Sequence, residues 1–216
     1  MNVYGAGLPR TGTTMLAQCL SVVRETHHEC PPMRGDGNEP IRGVIRRRLT
    51  GDKTDDLTPF IGHGSEVAFW YSYMLPDLPG KYVALWRPYS SWMDAALRFD
   101  LLAVNRGGDR LLDQYDYWEG DTQQEKLRSM WVMNTTHLLS LDTYVTTAER
   151  TEWSHLLDWL GWDYTQDDLA KMRAIQRSRP NAGTPAQVGP SGDAETDTLE
   201  RELEARTPFQ RLVFLT

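Results

Sequence analysis

The sequence predicts an α/β protein: a single three-layer αβα domain, residues 1–216, built on a central, mostly parallel sheet. Three observations predict it. A short apolar run at Val3 to Ala6 ends on glycine, helical patterns alternate with further apolar runs, and 216 residues suffice for one proper core. Strands buried on both faces of a parallel sheet read as continuous apolar runs.

The first element is a strand at Val3 to Ala6, β-prone and closed by the glycine and proline that follow. From Thr13 the positions Met15, Leu16, Cys19, Leu20 and Val23 recur at helical spacing, so a helix opens directly after Gly12. Residues 27 to 65 are rich in Gly, Pro, Asp and Arg and read as loops around one short basic helix. A second strand is expected at Tyr82 to Leu85, followed by Trp86-Arg87-Pro88 and a helix whose cap is Ser91 with Asp94 three residues on. A third strand is expected at Leu138 to Leu141, after a helix containing Trp131 and Asn134. Thr146-x-x-Glu149 reads as a capping box for a helix carrying Trp153, Leu156, Leu157 and Leu160 and stopped by Gly161, and Thr165-x-x-Asp168 opens another. The stretch 179–193, "RPNAGTPAQVGPSGD", has the composition of a long mobile loop and precedes a charged helix at about 194 to 206.

Composition excludes several classes. No apolar run approaches the ~20 residues of a membrane helix, so no span is expected. Residues 2 to 7 leave no room for a signal peptide, and Cys19 and Cys30 form neither a disulfide framework nor a Cys-x-x-Cys pair; both point to the cytoplasm. A formal charge of -7 argues against a nucleic-acid partner. The basic residues Arg42, Arg46, Arg47 and Arg48 nevertheless cluster, either as a solvated helix face or as an attractor for an anionic donor or acceptor.

The chemistry concentrates in "GAGLPRTGTT", Gly5 to Thr14. A glycine loop that opens a helix offers outward N–H groups and the positive end of the helix dipole to an anion. The glycines Gly7 and Gly12 would let the backbone approach a phosphate closely. A P-loop NTPase carries a lysine directly after the second glycine, where this chain has Thr13. Its cation is Arg10 instead.

Gly7-Leu8-Pro9-Arg10-Thr11-Gly12-Thr13-Thr14 resembles the 5′-phosphosulfate loop of the sulfotransferases that use 3′-phosphoadenosine 5′-phosphosulfate (PAPS), which runs Gly-x-Pro-(Lys/Arg)-(Ser/Thr)-Gly-(Thr/Ser)-(Thr/Ser). "KYVALWRPYSSWMDAAL" is similar to that family's 3′-phosphate element, a strand followed by Arg-x-Pro and a serine-bearing helix, and "LLSLDTYVTTAERTEWSHLLDWLGW" to its later strand, acidic turn and helix. The resemblance implies a P-loop-like sulfotransferase architecture. It implies transfer of a sulfuryl group from PAPS to a hydroxyl or amine, with the bisphosphate PAP as product and no metal requirement. Donor contacts would come from Pro9, Arg10, Thr11, Gly12, Thr13 and Thr14, and from Arg87 with Ser90 and Ser91. The acceptor would be a small molecule or a glycan or lipid. Here Arg87 directly precedes Pro88 and position 95 is alanine, a shifted register in which Ser91 serves the phosphate, the helix cap, or both.

In-line sulfuryl transfer needs a cation on the transferring group and a base for the acceptor. Arg10 fits the first role. Glu39, in "GDGNEPIRG", resembles the family's Glu-Pro base, and at its ordinary pKa of about 4.3 it is deprotonated at neutral pH. His63, in "IGHGSEVAF", is the alternative base, since cytosolic members use a histidine shortly before the second nucleotide strand. "HHEC", His27 to Cys30, lacks zinc-site spacing and reads as loop. Of eight tryptophans, Trp70, Trp86, Trp92, Trp118 and Trp131 either stack on the donor or pack the core.

Two other readings compete. A small-molecule kinase using ATP and Mg²⁺ finds support in "LLSLD", residues 138–142, as an apolar strand ending in a metal-binding aspartate. An inactive PAP- or PAPS-binding relative is the other.

Overall fold

The computed structural model describes residues 3–8, 10–24, 26, 67–70 (backbone alone), 80–98, 119–178 and 193–207. These form four parallel strands and the helices around them. The strands are β1 (Val3–Ala6), β2 (Val67–Trp70), β3 (Lys81–Trp86) and β4 (Thr143–Thr147). The helices are α1 (Thr13–Leu20), α2 (Tyr89–Arg98), α3 (Gln123–Ser140), α4 (Trp153–Leu160), α5 (Gln166–Arg177) and α6 (Ala194–Arg206). The chain is α/β. Among the described residues no helix is long and apolar enough to cross a membrane.

The strand order is β2-β1-β3-β4, with every neighbouring pair parallel. β1 therefore lies inside the sheet, with Val3 opposite both Val67 and Lys81. Because successive side chains of a strand point to opposite faces, β1, β3 and β4 each feed two cores. Tyr4, Ala6, Tyr82, Ala84, Trp86 and Val145 pack with Trp92 and Ala96 of α2, Leu127, Met130 and Trp131 of α3, and Leu203 of α6. Val3, Val83, Leu85 and Tyr144 pack with Met15, Leu16 and Leu20 of α1, Trp153, Leu156 and Leu157 of α4, and Leu169 and Met172 of α5. Cys19 lies in this second core, fully buried, as an ordinary apolar residue. Trp86, Trp92 and Trp131 are likewise core.

Local chemistry explains the ends of the helices. Thr165 and Asp168 exchange side-chain and backbone bonds as the expected capping box, and Thr122 with Glu125 makes another at α3. These bonds hold both carboxyls below the usual range: the Thr122 amide acts first on Glu125, and the Thr165 hydroxyl first on Asp168. Gly161 ends α4 in the left-handed region, φ 73, with Trp162 N–H returning to the Leu157 carbonyl at 3.0 Å.

Three expectations are corrected. Leu138 to Leu141 is not a strand: α3 runs through Ser140, and the β-branched run beginning at Thr143 forms β4 instead. Thr146 caps no helix: it lies in β4, and α4 starts after Glu152. The helix after β3 starts at Tyr89 instead of at Ser91, with the Pro88 carbonyl accepting from Trp92 N–H at 2.8 Å. Proline fixes φ near the helical value and has no N–H to satisfy, so a helix can begin directly after it. β2 lies just beyond the loop-rich 27–65 stretch, where the sequence reading assigned no element.

Candidate functional site

In an open parallel sheet, ligands bind beyond the carboxyl ends of the strands, at the point where connections diverge to the two sides. With the order β2-β1-β3-β4, the chain leaves β1 toward one edge and β3 toward the other, so this point lies between β1 and β3. The two elements that emerge there are the loop following Ala6 and the connection Trp86-Arg87-Pro88. Sequence separation conceals their meeting; pairing of Ala6 with Ala84 makes it.

The loop folds on itself before α1. The Leu8 carbonyl accepts from Thr11 N–H at 3.3 Å and from Thr11 Oγ1 at 2.7 Å, closing a four-residue turn. Arg10, within that turn, has φ 72, in the left-handed region. It is the one non-glycine residue with positive φ among the described residues. Glycine would take this conformation without steric cost, whereas arginine costs about 1–2 kcal/mol. A non-glycine residue strained in this way beside the switch point is a candidate functional position. Arg10 is exposed at the tip of the turn.

Each glycine has its own backbone reason in the loop. A Cβ on Gly7 would stand 2.8 Å from the Leu85 carbonyl oxygen and 2.9 Å from Thr11 Oγ1, so Gly7 lets the loop lie against β3. Gly12, at φ 103, forms the left-handed entry to α1 and contributes no side-chain cap, while its carbonyl accepts from Leu16 N–H at 3.1 Å. Thr13 and Thr14 then occupy the first turn of the helix.

Arg87 joins the two elements. Its Nη1 donates to the Arg10 carbonyl at 3.3 Å and its Nε to Ser91 Oγ at 2.7 Å, so the half-buried guanidinium spans from the loop to the first turn of α2. Ser91 is 7% exposed and acts as the brace of Arg87, not as a cap. Beside it Ser90 Oγ is buried with no hydrogen-bond partner. An unsatisfied buried hydroxyl costs about 1–3 kcal/mol, so Ser90 is poised to meet a further polar group.

No family model, no curated protein and no solved structure matches the chain.

The structure thus brings Arg10, Thr11, Gly12, Thr13 and Thr14 together with Arg87, Ser90 and Ser91. Pro9, Glu39, His63, the Arg42 to Arg48 cluster, the "HHEC" segment, Trp118, the Trp70 side chain and the 179–192 stretch lie outside the described residues. Asp142 is placed clearly: it is exposed and directly precedes β4. In a parallel sheet that puts it at the end of the strands opposite the glycine loop. An aspartate that reached a metal beside the loop would have to follow its strand.

Sequence reading missed the residues that hold the Arg87 connection from outside. Trp131 Nε1 donates to the Arg87 carbonyl at 3.4 Å. Trp86 Nε1 donates to Thr207 Oγ1 at 2.9 Å, and the Tyr89 N–H donates to the Glu200 carboxylate. The available signal was the spacing of Thr196, Leu199, Leu203 and Thr207, which sets one side of α6 against the core.

Proposed function

We propose that this chain is a PAPS-dependent sulfotransferase of P-loop-like architecture, transferring a sulfuryl group to a hydroxyl or amine of a small-molecule, glycan or lipid acceptor. The observation that carries the reading is Arg10, held in a left-handed conformation at the β1/β3 switch point with Arg87 bonded to its carbonyl. Two guanidinium groups at one crevice suit a donor with two anionic ends. Guanidinium groups bind phosphate and sulfate oxygens through several N–H donors at once.

In this reading the loop N–H groups, Arg10 and the hydroxyls of Thr11, Thr13 and Thr14 receive the 5′-phosphosulfate at the start of α1, with Pro9 and Gly12 shaping the loop. Arg87 and Ser91 receive the 3′-phosphate, and the Ser90 hydroxyl gains its missing partner there. The acceptor oxygen forms a bond to sulfur as the bond from sulfur to the bridging phosphate oxygen breaks. The electron pair stays on that oxygen, giving the bisphosphate, and the acceptor proton passes to Glu39. Charge builds on the bridging oxygen and on the sulfuryl group, where a fixed cation stabilises the transition state most.

The kinase alternative loses its best support, because Asp142 directly precedes β4, at the end of the strands opposite the glycine loop. Calorimetry decides between the two: adenosine 3′,5′-bisphosphate is expected to bind more tightly than ATP with Mg²⁺, and the reverse order would overturn the sulfotransferase reading. Binding of the bisphosphate with no turnover on a panel of phenols, sugars and amines would identify an inactive relative.

The base is tested separately. Glu39→Gln is expected to keep bisphosphate affinity and to lose turnover by about 10²–10⁴-fold, the range of general-base catalysis. If His63→Ala shows that pattern and Glu39→Gln does not, the histidine is the base.

A further inference from the structure

Resting on that reading, we propose that α6 clasps the Arg87 connection, with Glu200 as the positioning residue that sets the 3′-phosphate end of the donor site. The inference begins with a missing cap. A helix leaves its first N–H groups without intrahelical partners, and a side chain just before the helix commonly satisfies one. At α2 that place belongs to Pro88, whose ring has no polar atom to offer. The partner comes instead from 111 residues away: the Glu200 carboxylate accepts from the Tyr89 N–H, the first helical amide.

A second tether holds the other side of the same connection. Thr207 Oγ1 accepts from Trp86 Nε1 at 2.9 Å and donates to the Leu203 carbonyl at 2.8 Å, and Thr207 and Leu203 are both buried. Trp86 and Tyr89 flank Arg87-Pro88, so α6 holds the connection on each side while Trp131 holds its middle. The clasp is itself anchored. Arg128 of α3 pairs with Asp193 and, at 2.6 Å, with Glu195, while Arg150 after β4 pairs with Glu204. Burial, with the Asp197 and Glu204 carboxylates, pushes the Glu200 acid above its ordinary range against the opposing pull of the Tyr89 amide. The bond to the Tyr89 amide offsets part of the cost of half-burying that carboxylate.

The functional link runs through Ser91. Glu200 fixes where α2 starts, the start of α2 places Ser91, and Ser91 aims the Arg87 guanidinium. The expected signature is a loss of preference for the nucleotide that carries a 3′-phosphate. It is read by calorimetry as the ratio of affinities for adenosine 3′,5′-bisphosphate and adenosine 5′-monophosphate. Glu200→Ala is expected to reduce that ratio about tenfold, the worth of one positioned charge-assisted contact. Glu200→Gln keeps an oxygen for the Tyr89 amide and is expected to preserve the ratio. Amide exchange in the ligand-free protein gives the second readout, with Tyr89 and Ser90 exchanging faster in Glu200→Ala and not in Glu200→Gln. Thr207→Val cuts the other tether with the α2 cap intact and is expected to lower the ratio in the same direction.

Equal weakening of both nucleotides would show a merely structural role and overturn the proposal, as would loss of the ratio in Glu200→Gln or unchanged exchange in Glu200→Ala. A wild-type chain with no preference for the bisphosphate would overturn the donor assignment instead. The exchange arm would then still decide whether the clasp exists.

Discussion

Replacing Arg10 by alanine is expected, on the proposed sulfotransferase reading, to slow transfer by at least about a hundredfold, the scale of losing one preorganised contact to developing charge. Bisphosphate affinity should fall as well, because Arg10 is exposed in the turn and its carbonyl accepts from Arg87. Fold damage is separable from this effect. Alanine keeps a Cβ and hence the left-handed strain at φ 72, whereas Arg10→Gly relieves it, so the glycine variant should melt at or above the wild-type temperature while losing the same activity. Release of bisphosphate from the donor, measured with an acceptor panel, tests the first point and thermal melting the second. Turnover or affinity near the wild-type level in either variant would remove Arg10 from the site.

Gly7→Ala should do the opposite, damaging the frame before the chemistry. Its Cβ would meet the Leu85 carbonyl oxygen at 2.8 Å, a backbone atom of an inner strand that has no way to turn aside. The loop would have to lift from β3, disturbing the Arg87 contact to the Arg10 carbonyl. Overpacking of this kind costs about 1–3 kcal/mol. In a chain of this size that corresponds to a drop of roughly 2–12 °C in melting temperature. Loss of bisphosphate binding should accompany it. Gly7→Ala with unchanged melting and unchanged binding would contradict the close approach of loop and strand.

Those two predictions rest on a region that the sequence exposes well. Val3 to Ala6, the turn of helix at Thr13 and the charged helix at 194–206 all stand where local pattern puts them, because glycine punctuation and apolar spacing act over a few residues. The strand expected at 138–141 failed for a physical reason. "LLSL" is apolar in either state, and the helix already running from Gln123 carries it along, while the less apolar but β-branched Thr143-Tyr144-Val145-Thr146-Thr147 makes the strand. Ser91 was read both as a helix cap and, with Arg87, as a donor contact, but the direct bond between the two became visible only once α2 was fixed at Tyr89. Glu200 and Thr207 were illegible as site residues: their bonds to Tyr89 and Trp86 cross more than a hundred residues, and no local pattern encodes that meeting.

The inner position of β1 bears on how the chain is made. Residues 3–6 leave the ribosome well before either of the strands that will flank them, 67–70 and 81–86, and until those emerge both edges of β1 are open. An unpaired apolar strand is a template for association with other nascent chains. The crevice that gathers Arg10 and Arg87 is therefore completed late, although its glycine loop is synthesised early. A ligand that bridges the two arginines would select chains that have paired β1 with β3, and so act on the yield of folded protein as well as on its stability.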